Sequence, residues 1–181
     1  NLSSWYENGL SVLEFFKNNP DYNLIVAPHV MLFKKKVHAS VEHRRKGVRK
    51  DIPSQYYDCP NIHIDVDSEN LIDMTYTKMA DFYIGDASSQ IYEFIYKPRP
   101  AIFLRNKHLT DWEGDRNFRH WKLGVVSDEV NGLRNILVKA QEEFHSKYKN
   151  AQQVAFQETF ENVDGNASLR AAEIILSRVK R

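Results

Sequence analysis

Asp81-Phe82-Tyr83-Ile84-Gly85-Asp86-Ala87-Ser88-Ser89-Gln90-Ile91-Tyr92-Glu93-Phe94 is the stretch on which the fold turns. Residues 82–84 make an apolar run of strand length, Gly85-Asp86 breaks it, and a helix over 88–96 begins at the two serines. A strand that turns directly into a helix leaves the first backbone N–H groups of that helix unpaired. Those donors, the positive end of the helix dipole and two hydroxyls together suit a phosphate. Glu93 follows Ser89 by four residues, so its carboxylate shares that helix face one turn on, where it can accept bonds from sugar hydroxyls. Helix capping by itself also explains Ser and Asp at such a position, and Asp86 reads as structural.

Outward from this stretch, strand and helix signals alternate. Ser3 or Ser4 can cap a helix on which Trp5, Leu10, Leu13 and Phe16 recur at helical intervals, ended by Asn18-Asn19-Pro20. Residues 22–27 form a continuous apolar strand of the kind buried on both faces of a parallel sheet. A short helix is expected within 28–36, and the polar, basic stretch from there to Pro60 reads as a long mobile excursion. Residues 62–66 form a strand, Ser68 caps a helix burying Leu71, Ile72, Tyr76 and Met79, and 101–104 form the strand after the serine turn. A polar loop, a last strand at 124–127, a long helix over 130–148 and two C-terminal helices over 151–161 and 166–180 complete the pattern. This alternation predicts one α/β domain over 1–181, a Rossmann-like, mostly parallel sheet flanked by helices, with the last helices, 151–180, packing on it. In such sheets ligands bind beyond the carboxyl ends of the strands. That edge collects Ala27-Pro28-His29, Asp65-Val66-Asp67, Gly85 to Ser89 and Arg105-Asn106.

A chain of 181 residues, 42% hydrophobic and 27% charged, is enough for one domain with a real core. Its net charge of +1 argues against general nucleic-acid binding. Lys34, Lys35, Lys36, Arg44, Arg45, Lys46, Arg49 and Lys50 nevertheless crowd one segment, which reads equally as a solvated loop or as a surface for phosphates or anionic lipid heads. Cys59 is the single cysteine, so no internal disulfide forms, and no apolar run nears the ~18 residues of a spanning helix. A cytoplasmic setting follows, peripheral on the inner face of the cell membrane only through a full-length parent. The opening at Asn1 without a signal peptide reads as a piece of something longer.

The spacing Asp86-x-Ser88-Ser89-x-x-Tyr92-Glu93 resembles the Asp-x-Ser-Ser-x-x-aromatic-acidic signature of the CDP-glycerol glycerophosphotransferase family, the teichoic-acid primases and polymerases. Leu71-Ile72 through Ala80-Asp81 resembles the family's helix before the motif. Lys97-Pro98-Arg99-Pro100-Ala101-Ile102-Phe103 is similar to its following strand, and Asp164-Gly165-Asn166-Ala167-Ser168-Leu169-Arg170 to its closing segment. Ala27-Pro28-His29-Val30 resembles in part the Arg-Pro-His-Pro segment that carries a catalytic histidine, with Ala27 and Val30 replacing the Arg and the second Pro. The likeness runs from about residue 22 to the C-terminus. It implies the C-terminal, nucleotide-donor-binding half of a GT-B fold, whose acceptor half lies N-terminal to this sequence.

The resemblance further implies transfer of glycerol phosphate from CDP-glycerol, or a related nucleotide-activated donor, to a lipid-linked or polymeric acceptor, with no cofactor and no metal. His29 is then the catalytic candidate, an imidazole able to donate to a phosphoryl oxygen or move a proton; its plain alternative is a cap on the strand end. Ser88 and Ser89 take the diphosphate and Glu93 a ribose or glycerol hydroxyl. Arg116, Arg119 and His120, beside the acidic turn Asp111-Trp112-Glu113-Gly114-Asp115, help hold phosphates, and Arg170 pins the last helix. Because the base for the acceptor belongs to the missing N-terminal domain, the fragment is expected to bind donor and turn over little. A GT-B glycosyltransferase domain using a nucleotide sugar is one alternative. A non-catalytic nucleotide-binding module, favoured by the altered Ala27 to Val30 segment, is the other. His63, Asp65 and Asp67 alternate along a strand and so share a face, where they either hold a metal or, more simply, lie exposed or cap the next helix.

Overall fold

The computed structural model describes residues 3–40, 45–106, 111–161 and 163–179, in which short strands alternate with helices. Helix α1 (Trp5–Lys17) buries Leu13 and Phe16 and ends where the Asn19 side-chain amide donates to the Phe15 carbonyl at 2.6 Å, satisfying one of the acceptors a helix end leaves open. Strand β1 (Leu24–Val26) and helix α2 (Val30–Lys34) follow. The basic segment is not an excursion. Within it β2 (Val37–Ser40) and β3 (Arg45–Val48) pair as an antiparallel hairpin, Val37 opposite Val48. The hairpin leans on α1, where the Tyr6 and His38 rings meet edge-on at 6.2 Å and the Tyr6 ring comes so close to Gly47 that a Cβ there would lie 3.0 Å from it.

Strand β4 (Ile62–Ile64) pairs in parallel with β1, Leu24 opposite Ile62. The single helix expected after Ser68 is divided into a 3-10 turn, Glu69–Leu71, and helix α3 (Thr75–Met79). Met74 stands between them at φ 66°, and a residue in the left-handed region cannot continue a right-handed helix. The break turns Ile72 and Met79 outward, 75% and 66% exposed, against the expectation that they are buried, while Leu71 faces inward. Strand β5 (Tyr83–Gly85), helix α4 (Gln90–Phe94) and strand β6 (Ala101–Leu104) come next. The expected polar loop holds two 3-10 helices, Trp112–Gly114 and Arg116–Leu123, the second burying Phe118, Trp121 and Leu123. After β7 (Val125–Ser127), α5 (Leu133–Glu143) passes through a π-helical stretch, Phe144–Tyr148, into α6 (Lys149–Thr159), so two expected helices form one continuous run.

The strands make a mixed α/β fold with short parallel sheets. β5, β6 and β7 pair in that order, all parallel, while β1 and β4 form a separate parallel pair; among the described residues no ladder joins the two. β6 is central, buried at all four positions. Its Ile102 and Leu104 join a core with Leu13, Phe16, Val26, Ile62 and Leu133, and its Ala101 and Phe103 join another with Ile91, Phe94, Phe118 and Trp121. Alternate side chains point to opposite faces, so a strand apolar at every position is one covered on both. Each such large side chain contributes about 1.5–3 kcal/mol on burial.

Two polar side chains lock the helices to the second core. Fully buried Gln152 on α6 accepts from the Arg99 N–H at 3.0 Å and donates to the carbonyls of Arg99 and Leu123 at 2.9 and 2.8 Å. The Arg99 guanidinium lies over the Phe94 ring at 4.0 Å and donates to the carbonyls of Thr77, Ala80 and Phe94, serving the C-terminal ends of α3 and α4 together. Helix α7 (Ala167–Val179) differs from the rest, because none of its residues is buried and Leu169, Ile174, Ile175 and Leu176 are all more than half exposed. Of the last helices, 151–180, expected to pack on the domain, α6 meets the second core through Gln152 and Phe156, whereas α7 buries none of its described residues. Arg170 does pin its start, with one guanidinium nitrogen 2.8 Å from both carboxylate oxygens of Asp164.

Candidate functional site

The ends of β1 and β5 open onto one cavity of about 600 Å³. The first turns of α1, residues from α3, the start of α2 and the His38 ring of the hairpin complete its wall. Leu13, Val26 and Leu104 give it an apolar interior; His29, Ser3, Ser4, Asp86 and Ser88 supply the polar part. Of the candidates drawn from the sequence, the cavity brings together His29, Asp86 and Ser88. Ser89, Glu93, Arg116, Arg119 and His120 do not line it.

His29 sits at the entry to α2, where its Nδ1 accepts the Met31 backbone N–H at 3.2 Å. A ring nitrogen that accepts carries no proton, so the neutral imidazole holds its proton on Nε2 and presents a donor there. His29 thus caps the entry to α2 through Nδ1 and is one of the residues that line the cavity.

Asp86 is the hinge pin of the serine turn. Its carboxylate accepts from the Ser4 backbone N–H at 2.6 Å and the Ser4 hydroxyl at 3.1 Å, so the first turn of α1 holds a negative charge where the helix dipole favours one. Its carbonyl accepts from Trp121 Nε1 at 3.1 Å and His120 Nε2 at 3.0 Å. Burial pushes the Asp86 carboxyl above its ordinary range, opposed by the bonds from Ser4. These contacts fit the reading of Asp86 as structural and remove His120 from the phosphate-holding set. The His120 ring is buried, committed to the Asp86 carbonyl, and driven by burial toward its neutral form.

Ser88 lines the cavity, and its hydroxyl accepts the Gln90 N–H at 3.2 Å. Ser89 is exposed and makes no capping bond to α4, which at Gln90–Phe94 is shorter than the helix expected over 88–96. Glu93 is half-buried on α4, outside the cavity. Arg116 and Arg119 are exposed on the 3-10 helix, and the acidic turn before it is used locally, the Asp115 carboxylate accepting from the Asn117 N–H at 2.8 Å.

The remaining polar candidates resolve into fold contacts. Asp65 is buried and accepts from the backbone N–H groups of Asp67 and Ser68, from the Ser68 hydroxyl and from the Tyr76 hydroxyl, which settles the His63-Asp65-Asp67 pattern as a turn cap. No group of side chains suited to a metal occurs among the described residues. In the basic segment Lys34, Lys35, Lys36, Lys46 and Lys50 are exposed, whereas Arg49 is buried against the Phe33 ring at 4.3 Å and pairs with Asp51 at 3.0 Å. Arg44 lies outside the described residues.

Three cavity residues carry no signal of that role in the sequence: Ser4 reads as an ordinary helix cap, His38 as part of a loop, and Tyr83 as one more apolar strand residue. Only the long-range Ser4–Asp86 contact, 82 positions apart, makes the first visible. Searches against family models, curated proteins and solved structures found no match to the chain. No helix among the described residues is long and apolar enough to cross a membrane.

Proposed function

We propose that this chain is the donor-binding domain of a glycerophosphotransferase that takes glycerol phosphate from CDP-glycerol, built as the Rossmann-like C-terminal half of a GT-B architecture. The observation that carries this reading is the shared cavity, in which His29 from the end of β1 meets the Gly85 to Ser88 turn from the end of β5. A largely apolar cleft with a few convergent polar groups, at the carboxyl ends of parallel strands, is where α/β folds bind nucleotides. Of the family-like motif, Asp86 and Ser88 line this cavity and supply polar groups to it.

In this reading the acceptor hydroxyl, lipid-linked or polymeric, attacks the glycerol-bearing phosphorus and CMP leaves. The Nε2–H of His29 and the hydroxyl of Ser88 donate to phosphoryl oxygens, a charge-stabilising task that dominates phosphoryl transfer. A histidine protonated on Nε2 is a donor, not a base, so deprotonation of the acceptor falls to a second domain. A non-catalytic nucleotide-binding module is the second reading, favoured by the altered Ala27-Pro28-His29-Val30 segment.

Calorimetric titration with CDP-glycerol, CMP, UDP and UDP-sugars tests the proposal. Cytidine nucleotides should bind, and Ser88→Ala and His29→Ala should each weaken CDP-glycerol by about tenfold or more, the cost of one charge-assisted hydrogen bond. Ser89→Ala, on an exposed side chain, should cost less than Ser88→Ala. Binding by none of these nucleotides would overturn the reading.

A further inference from the structure

Tyr83 and Gly85 stand two apart on β5 and therefore point to the same face of the sheet. The Tyr83 ring lies along that face directly over Gly85, so that a Cβ at Gly85 would sit 2.4 Å from the Tyr83 Cε1, Cζ and hydroxyl oxygen. Gly85, with φ outside the left-handed region, is needed here for space. The lower part of the ring is held by Phe94 and Phe103, at centroid distances of 5.4 and 6.0 Å. Its hydroxyl reaches the serine turn, and both Tyr83 and Ser88 line the cavity.

The Ser88 hydroxyl oxygen accepts the Gln90 N–H at 3.2 Å, and the Tyr83 hydroxyl lies over Gly85 in the same cavity wall. Resting on the donor-site reading above, we infer that the Tyr83 hydroxyl is a ligand-binding group of the cavity, donating its proton to a phosphoryl oxygen of the nucleotide diphosphate. Burial and the nearby Asp86 carboxylate raise the phenol above its ordinary titration range, so it stays a donor throughout the range in which the protein is folded.

Tyr83→Phe removes the proton donor and keeps the ring against Phe94 and Phe103, so thermal unfolding should be close to wild type. Its affinity for CDP-glycerol and for inorganic pyrophosphate should fall by a similar factor, about 10- to 100-fold, as expected for loss of a bond to a charged acceptor. Cytidine, which carries no phosphate, should bind Tyr83→Phe and wild type alike. Wild-type binding of CDP-glycerol with unchanged affinity in Tyr83→Phe would overturn the role of Tyr83 and leave the donor site standing. A wild-type chain that binds neither CDP-glycerol nor pyrophosphate would overturn the donor reading and this inference with it.

Discussion

Four donors converge on the Asp65 carboxylate, and the Ser68 hydroxyl and the Tyr76 phenol, in that order, do most to hold its carboxyl well below the usual carboxylate range. A folded-state value below the unfolded one means stability that is fully present above the unfolded pKa of about 3.9 and is lost progressively as pH falls below it toward the lower folded value. His120 acts in the same direction at higher pH, because burial lowers its pKa. The contribution of its neutral form is present above about pH 6.5 and lost on acidification below it. Denaturant unfolding followed from pH 7.5 to about pH 2 should therefore lose stability in two stages, the lower one still under way at the acid end. Asp65→Asn should remove the lower step and His120→Gln the upper. A single step unaffected by either substitution would contradict both assignments. Of the residues singled out from sequence, Ser88 and His29 reached the cavity because motif spacing follows the strand ends. His120 did not, because nothing local in Arg119-His120-Trp121 signals that its ring turns inward to Asp86.

At the scale of elements, the contacts that matter most are polar and long-range. Gln152→Leu keeps the volume of the side chain but leaves the Arg99 N–H and the Arg99 and Leu123 carbonyls without their partner in a buried place. With about 1–3 kcal/mol for each stranded buried group, partly relieved by relaxation, a loss of roughly 3 kcal/mol in unfolding free energy is expected, read as a lower denaturation midpoint at unchanged slope. Helix α7 sits at the other extreme. Truncation after residue 161 removes a helix with no buried residue and should leave the unfolding temperature within a few degrees of the full chain. The long apolar periodicities over α1, α5 and β6 were legible because burial imposes them. The β2–β3 hairpin was not, since Val37-His38-Ala39-Ser40 and Arg45-Lys46-Gly47-Val48 are only four residues each, the second carries two basic residues, and the hairpin meets α1 through His38 and Gly47 against the Tyr6 ring. The division of the helix after Ser68 was equally hidden. It depends on one backbone angle at Met74, and Met is an ordinary helix former.

At the scale of the molecule, two short parallel sheets share a core, no ladder joins them among the described residues, and the ends of β1 and β5 face the same cavity. Chain order alone placed both strand ends at one edge, and that part of the site was legible. The cavity's other wall comes from Ser3, Ser4 and Asn8 at the start of α1, joined to the serine turn only through tertiary contact. Backbone amide resonances recorded during addition of CDP-glycerol can locate the bound donor. The largest shifts should fall on residues 85–88 and on the α2 entry from His29 to Met31, with smaller ones at the first turn of α1. Saturable shifts confined to surfaces away from the β1 and β5 ends, or none at millimolar donor, would contradict a nucleotide-donor site in this cavity.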